Sequence, residues 1–363
     1  MISTTRFIAS ATALALVAAC GGDNKGSAGT TSSAGGQPAS SSGVDLTGAG
    51  ATFPQPIYNK WFSDYAAKTG VKINYQSIGS GGGIRQMQEQ TVDFGASDGP
   101  MKDDEITKAK GGPIMHFPTV LGAVVLSYNV PEITQTLKLT GPVIADVYLG
   151  KITKWNDPRI ATLNPGIKLP ATDILVVYRS EGSGTTFIFT DYLSTISPEW
   201  LKKVGRAKEV KWPVGIGAKG NEAVAGQVKQ TPGSIGYVEL AYAKQNKLSY
   251  AQVRNAAGKF VEATIASTTA AADGVKLPPN SDYRVSIVNA PGADAYPISS
   301  FTWLLVYKNQ SDSVKGRKLK DFMRWAYAEG EQSASALDYA PLPAGLTQRL
   351  TIRLDSIQVG AKE

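Results

Sequence analysis

The sequence predicts a layered α/β fold in two lobes, and three observations carry that expectation. Short apolar stretches of strand character alternate with stretches whose apolar residues recur every three or four positions, the spacing of one helix face. Two longer apolar runs, at 118–128 and 297–307, could each carry the chain between lobes. Three strand-to-helix turns are built from Gly, Ser and Thr, so helix beginnings with their unpaired N–H groups fall on small residues.

The chain opens with Arg6 and an apolar run that ends Leu16-Val17-Ala18-Ala19-Cys20. A short positive region, an apolar core and small residues make 1–20 a secretory leader and not a membrane span. Leu-Val-Ala-Ala-Cys resembles the bacterial lipobox, in which the cysteine becomes the lipidated first residue. A plain leader cut nearby is the alternative. Cys20 is the only cysteine. Once it is used, the mature chain has no disulfide and no cysteine-based metal site. Residues 21–44 are rich in Gly, Ser, Ala and Thr and read as a flexible tether reaching roughly 25–30 Å.

About 320 residues follow, enough for two lobes. The expected division is 45–129 with 295–363 in lobe 1, and 130–294 in lobe 2. The net charge of +7 fits an anionic ligand, but no Lys/Arg block marks nucleic-acid binding. No later apolar run reaches the length of a membrane helix.

In order, a short strand at Leu46 runs into a tight turn ending Thr52-Phe53-Pro54. Pro54 suits a first helical turn, Ile57, Tyr58, Trp61, Phe62 and Tyr65 form a buried face, and Gly70 suits the stop. Thr52 can offer its hydroxyl there, and Phe53 its N–H. A strand at 71–75 leads to Ser77-Ile78-Gly79-Ser80-Gly81-Gly82-Gly83, with the next helix expected from Ile84. Three consecutive glycines are costly in chain entropy and point to a close backbone or ligand approach. A strand at 92–97 ends at Asp98, before Gly99-Pro100; a plain surface turn would read the same way. After 118–128, a helix begins at Gly141-Pro142, and Trp155 is expected as a packing anchor in a loop-rich stretch.

The third turn is Arg179-Ser180-Glu181-Gly182-Ser183-Gly184-Thr185, between a strand at 173–178 and a helix with Phe189/Leu193 and Ile188/Tyr192 spaced by four. Unpaired N–H groups, the positive end of the helix dipole, two hydroxyls and Arg179 would make an oxyanion cradle. Ordinary capping uses the same residues; what favours the cradle is the convergence of three such turns. Helices beginning at Ser197 and Gly220-Asn221-Glu222, a strand at 234–238, a helix through Leu319 and Phe322, and a last one carrying Leu346, Leu350, Leu354 and Ile357 complete the chain.

A carboxylate looks misplaced among such donors, because Asp98 can only accept a hydrogen bond. It fits if the ligand brings a proton. Phosphate has an O–H to give and fully ionised sulfate has none, and sites built on such a bond reject analogues lacking it by roughly 10⁴–10⁵-fold. Enzyme readings find little support. The single histidine, His116, precedes an apolar strand and reads as a satisfied core residue. No Gly-x-Ser-x-Gly elbow, Ser-x-x-Lys pair, His-Glu-x-x-His motif or P-loop lysine occurs. No metal or other cofactor is expected.

Taken together, Gly48-Ala49-Gly50-Ala51-Thr52-Phe53-Pro54, Ile78-Gly79-Ser80-Gly81-Gly82-Gly83, Asp93-Phe94-Gly95-Ala96-Ser97-Asp98 and the Arg179–Thr185 turn resemble the PstS family of phosphate-binding proteins. Tyr148 to Asp157 and Gly236 to Gln245 resemble it too, and the likeness runs from Leu46 to Ile357. It implies a type II periplasmic-binding-protein fold, two α/β lobes joined by a two-strand hinge. It also implies that phosphate is held by Thr52, Phe53, Ser80, Asp98, Arg179, Ser183, Gly184 and Thr185, with Asp98 accepting its proton. The family's members hand phosphate to two membrane permease subunits driven by an ATPase dimer, so a periplasmic or cell-surface protein is expected, lipid-anchored through Cys20. A phosphoester hydrolase, or a receptor for arsenate or sulfate, is the competing reading. Two departures stand out: Gly81 where many members have a second Ser, and Glu181 where an Asp often pairs with the site arginine.

Overall fold

A computed structural model describes residues 45–278 and 281–360. The leader, Cys20 and the tether lie outside the described residues. The first part of the chain forms β1 (Leu46–Gly50), α1 (Gln55–Thr69), β2 (Ile73–Ser77), α2 (Ser80–Glu89), β3 (Phe94–Ser97), the short α3 (Asp103–Thr107) and the long β4 (Ile114–Asn129). The middle forms β5 (Lys138–Leu139), α4 (Gly141–Tyr148), α5 (Pro158–Ala161), β6 (Leu175–Arg179), α6 (Gly184–Ile196), α7 (Pro198–Lys203), β7 (Ile216–Ala218), α8 (Gly220–Gln230), β8 (Ser234–Glu239) and α9 (Leu240–Gln245). Small strands β9 (Ser249–Tyr250), β10 (Gln252–Arg254) and β11 (Phe260–Val261) precede α10 (Ile265–Ala272). The chain returns through β12 (Ser299–Tyr307) and closes with β13 (Asn309–Gln310), α11 (Ser313–Ala328), α12 (Ala344–Arg353) and β14 (Gln358–Val359).

The main sheet has the order β2-β1-β3-β12-β4-β8-β6-β7, with β9 also on β4. β1 is parallel to β2 and β3, and β6 is parallel to β7 and β8, so each half carries a parallel core. The halves share β4. Residues 114–123 pair antiparallel with β12, and residues 124–129 pair antiparallel with β8. At the changeover Val124 N–H donates to Ile298 O at 2.8 Å, and Tyr296 OH donates to Val124 O at 3.0 Å. The two apolar runs expected to cross between lobes are thus β4 and the strand that leads into β12, laid side by side. Both are buried along nearly their whole length, which explains why they read as continuous apolar runs.

β4 begins four residues before the run that suggested it. Pro118 obscured the start, since proline cannot donate to a ladder. It sits where the β4–β12 register slips, at a bulge between Thr302 and Trp303. α1 has the expected buried face, Ile57, Tyr58, Trp61, Phe62 and Tyr65, and the expected stop at Gly70, φ +77° with its N–H on Ala66 O, but Pro54 is its N-cap residue and the proline in its first turn is Pro56. Trp155 is buried, its indole N–H on Gly233 O at 3.0 Å. The last predicted helix stops at Arg353, and Leu354 and Ile357 are buried just beyond it.

The glycine run behaves differently from the expectation. α2 begins at Ser80, so Gly81, Gly82 and Gly83 form its first turn and not a loop before it. A Cβ on Gly83 would stand 2.5 Å from Gly50 Cα and 2.6 Å from Ala49 O. The glycine lets the helix lie directly on the end of β1, which holds Ser80 against the end of β3. Gly83→Ala is therefore expected to cost about 1–3 kcal/mol in urea unfolding. Gly226→Ala, in α8 with nothing within 4 Å of the added methyl, should instead gain about 0.4–1 kcal/mol. Equal effects at the two positions would contradict the close packing of α2 on β1.

Candidate anion-binding site

The sheet brings the candidate residues to one place because strand ends and helix beginnings from both halves face each other. β3 ends at Ser97 and delivers Asp98; α2 begins at Ser80; β6 ends at Arg179; α6 begins at Gly184. Thr52, Phe53, Ser80, Asp98, Arg179, Ser183 and Thr185 are all buried. Ser183 is the N-cap of α6, its Oγ accepting from Thr186 N–H at 3.1 Å.

Direct bonds join the two halves. Ser80 Oγ accepts from Asp98 N–H at 3.2 Å and from Gly184 N–H at 3.0 Å, and lies 3.5 Å from Asp98 Oδ2. Gly184 N–H, expected to face an anion, here meets Ser80 across the interface. Next to it, Gly81 N–H donates to Gly182 O at 2.8 Å. A Cβ on Gly81 would come within 3.1 Å of Gly182 Cα, so a serine there would crowd this crossing; that is the physical content of the Gly81 departure. Thr52 Oγ1 accepts from Asn221 N–H at 3.2 Å and Asn221 Nδ2 at 2.8 Å. The carbonyls of Thr52 and Phe53 accept from Tyr242 OH and Tyr339 OH, both at 2.6 Å. The Phe53 ring packs against Tyr339, as expected of a packing side chain.

Arg179 is fixed on several sides. Its N–H donates to Tyr237 OH at 3.0 Å. Its Nε donates to Glu181 Oε1 at 3.0 Å, its Nη2 bonds the same oxygen, and its Nη1 donates to Thr185 Oγ1 at 3.0 Å. A guanidinium has five N–H donors, so donors on both Nη atoms remain for an anion. Gly220 N–H also donates to Glu181 Oε1, at 3.1 Å, while Glu181 Oε2 is buried with no hydrogen-bond partner. The longer Glu arm thus aims Arg179 through one oxygen only.

Asp98 is 1 % exposed. Burial pushes its carboxyl up to about 7, against the opposing pull of the Thr302 hydroxyl, the Arg179 charge and Ser80. Thr302 Oγ1 donates to Asp98 Oδ1 at 2.8 Å. His116 stands apart from the cluster. Its Nε2 accepts from Met101 N–H at 3.0 Å, which leaves Nδ1–H for Asp282 Oδ2 at 2.7 Å. Burial holds it below the usual histidine range, as a neutral core residue. Among the described residues no group of His, Cys, Asp or Glu could hold a metal ion.

Sequence reasoning missed Thr302, Asn221 and Tyr237. Thr302 is a hydroxyl set between Phe301 and Trp303 in β12, a signal that could have been read. Asn221 follows Gly220 at a helix start, the same pattern as the other turns, yet was taken only as a helix beginning. Tyr237 carried no signal, since its role depends on β8 lying beside β6.

A profile described as PBP superfamily domain matches residues 29–329. The Phosphate-binding protein PstS of Xylella fastidiosa is 48 % identical over 308 residues, covering 85 % of this chain and 84 % of that protein. Its counterpart in Pasteurella multocida is 48 % identical over 306 residues, covering 84 % and 88 %. The chain belongs to the PstS family. Among solved structures, a high-affinity periplasmic phosphate-binding protein, PfluDING, bound with phosphate superposes with a TM-score of 0.70 at 21 % identity, covering 87 % of this chain and 96 % of that one. The phosphate-binding protein of Stenotrophomonas maltophilia gives 0.66 at 19 %, covering 85 % and 93 %. These likenesses show the fold: the type II periplasmic-binding-protein arrangement of two α/β lobes on a two-strand hinge.

For this PstS chain, the burial of Asp98 has a measurable consequence. The folded carboxyl holds its proton to about pH 7, whereas the unfolded one releases it near 3.8. Between these values the native state binds more protons, so this contribution to stability is full below about pH 4 and is lost as pH rises through 7. In ligand-free protein, the stability of wild type minus that of Asp98→Asn should fall from pH 4 to 7 and level off above. Urea unfolding across that range checks it; a flat or rising difference would contradict the burial of Asp98.

Proposed function

We propose that this protein binds inorganic phosphate with high affinity between its lobes and delivers it to an ABC importer, without catalysing a reaction. The observation that carries the reading is a bonded cluster of buried groups: Asp98 with Ser80, Arg179 with Thr185, and Thr185 linked to Thr52 through Asn221. Stripping a small oxyanion of water is very costly unless each oxygen regains partners. Each charge-assisted hydrogen bond returns about 1.5–3 kcal/mol net, and several held in place by helix starts suffice for micromolar or tighter binding.

In this reading Thr52, Ser80, Ser183 and Thr185 donate hydroxyl protons, and Phe53 N–H and Gly184 N–H donate from the backbone. Gly184 N–H passes from Ser80 to the ligand. Arg179 supplies the charge, and Asp98 accepts the phosphate proton. Sulfate is rejected for want of that proton; arsenate, which can carry one, competes weakly. The half built on β1, β2, β3 and β12 and the half built on β6, β7 and β8 close over the ion by bending where the two crossing strands pass between them. The liganded form then docks on two permease subunits driven by an ATPase dimer. The protein works outside the cytoplasm, held near a membrane through a lipid on Cys20 and the tether. Among the described residues no helix is long and apolar enough to cross a membrane.

The test is calorimetric titration of ligand-stripped protein with phosphate. Wild type is expected to bind one phosphate per chain at micromolar concentration or below, and Arg179→Ala to bind at least 100-fold more weakly (on the order of 3 kcal/mol), folded but with a lowered unfolding midpoint because Glu181 loses its partner. Absence of binding by wild type, or unchanged affinity in Arg179→Ala, would overturn the assignment. Release of phosphate from a model phosphoester by the purified protein would favour a hydrolase instead.

A further inference from the structure

The bonding pattern around Asn221 carries an inference that rests on the phosphate reading and deepens it. A threonine hydroxyl has one proton to give and two lone pairs to receive with. Thr52 Oγ1 receives two donors, Asn221 N–H and Asn221 Nδ2. Thr185 Oγ1 also receives two, Arg179 Nη1 and Asn221 Nδ2 at 3.1 Å. With both lone pairs filled, each hydroxyl can act only as a donor.

The direction of the Asn221 amide is itself fixed. Its Oδ1 accepts from Glu239 N–H at 2.9 Å. A backbone N–H cannot accept, so the oxygen must face Glu239 and the NH2 must face the two threonines. One NH2 group thereby serves Thr52, which follows β1 in the half containing β2 and β3, and Thr185, which begins α6 beside β6. Asn221 is completely buried, and the residue before it, Gly220, is held by Glu181, the partner of Arg179.

We propose that Asn221 is a positioning residue that arms the phosphate site. By filling both lone pairs of Thr52 and, together with Arg179, those of Thr185, it turns both hydroxyl protons toward the anion, and it does so for Thr52 only when the two halves are together. A free threonine rotor could present an oxygen to the ligand as easily as a proton. Asn221 removes that freedom, so the donor set is ready when the ion arrives and repels any ligand that needs an acceptor there.

The test is a mutant cycle read by phosphate calorimetry, with urea unfolding of each ligand-free variant. In the wild-type background, Asn221→Ala is expected to weaken phosphate binding roughly 10- to 100-fold. In a Thr52→Val/Thr185→Val background, which has no hydroxyls to orient, the same change should weaken it by less than about threefold. Asn221→Asp keeps the shape but makes the side chain an acceptor, which reverses both hydroxyls. Its loss should exceed that of Asn221→Ala and shrink likewise in the valine background, whereas simple charge repulsion would persist there. Asn221→Asp also serves if the alanine variant does not fold. Unchanged affinity, or the same fold-loss in both backgrounds with a lowered unfolding midpoint, would make Asn221 merely structural and overturn the proposal. Failure of the wild type to bind phosphate would overturn this inference and the function together.

Discussion

A carboxyl group buried among hydrogen-bond donors is the constraint on which this structure turns. Asp98 lies where β3 ends, sealed from water, with Thr302 on one oxygen and Ser80 near the other. The nearby cation does not neutralise it, because Arg179 is already paired with Glu181. A charged carboxylate in such a place is costly, which is why burial lifts its affinity for a proton. The cost is relieved if the site's ligand is an anion that carries its own proton. Donors alone would hold any tetrahedral oxyanion; donors with one acceptor select the protonated ones.

The fold serves that constraint by bringing helix beginnings from two directions onto one point. Parallel strands in each half end on the same side, and the helices that follow begin there, with small residues allowing close approach. β4 and the strand into β12 tie the halves together at Ala123–Val124 and Ile298–Ser299. Polar contacts cross the interface, among them Ser80 with Gly184, Gly81 with Gly182, and Thr52 with Asn221 and Tyr242. Of these, Gly184 N–H can pass from Ser80 to a ligand oxygen, while Asn221 stays on Thr52 and keeps its hydroxyl proton free for the ion.

Much of this was legible in the sequence because it is local. The strand-turn-helix units, the two crossing runs and the placement of Ser183 as a cap depend on neighbours within a few residues. Ser80 and Asp98 were found because an unusual composition marks their turns. The reading failed where a residue's meaning comes from distant chain. The glycines of α2 read as loop by composition, yet they are helix pressed against the backbone of β1. Pro118 hid the start of β4, because only the partner strand reveals the bulge that accommodates it. Thr302, Asn221 and Tyr237 reach the site by sheet order, and β12 and β8 come far from β3 in sequence. Conversely, the solitary His116, which composition alone makes conspicuous, is sealed against Asp282 and Met101 and has no part in the site.

The central claim is that Asp98 selects for a proton on the ligand, and selectivity tests it most directly. Phosphate and sulfate should be titrated by calorimetry into wild type and Asp98→Asn at one ionic strength and one pH above 7, where the Asp98 carboxyl has lost its proton and can only accept. Wild type is expected to prefer phosphate by roughly 10⁴-fold or more. Asp98→Asn, whose amide can donate to a bare oxygen, should keep phosphate binding while that ratio collapses through a gain in sulfate affinity. If Asp98→Asn excludes sulfate as strictly as wild type, the carboxyl is not what distinguishes the two anions, and the account is wrong.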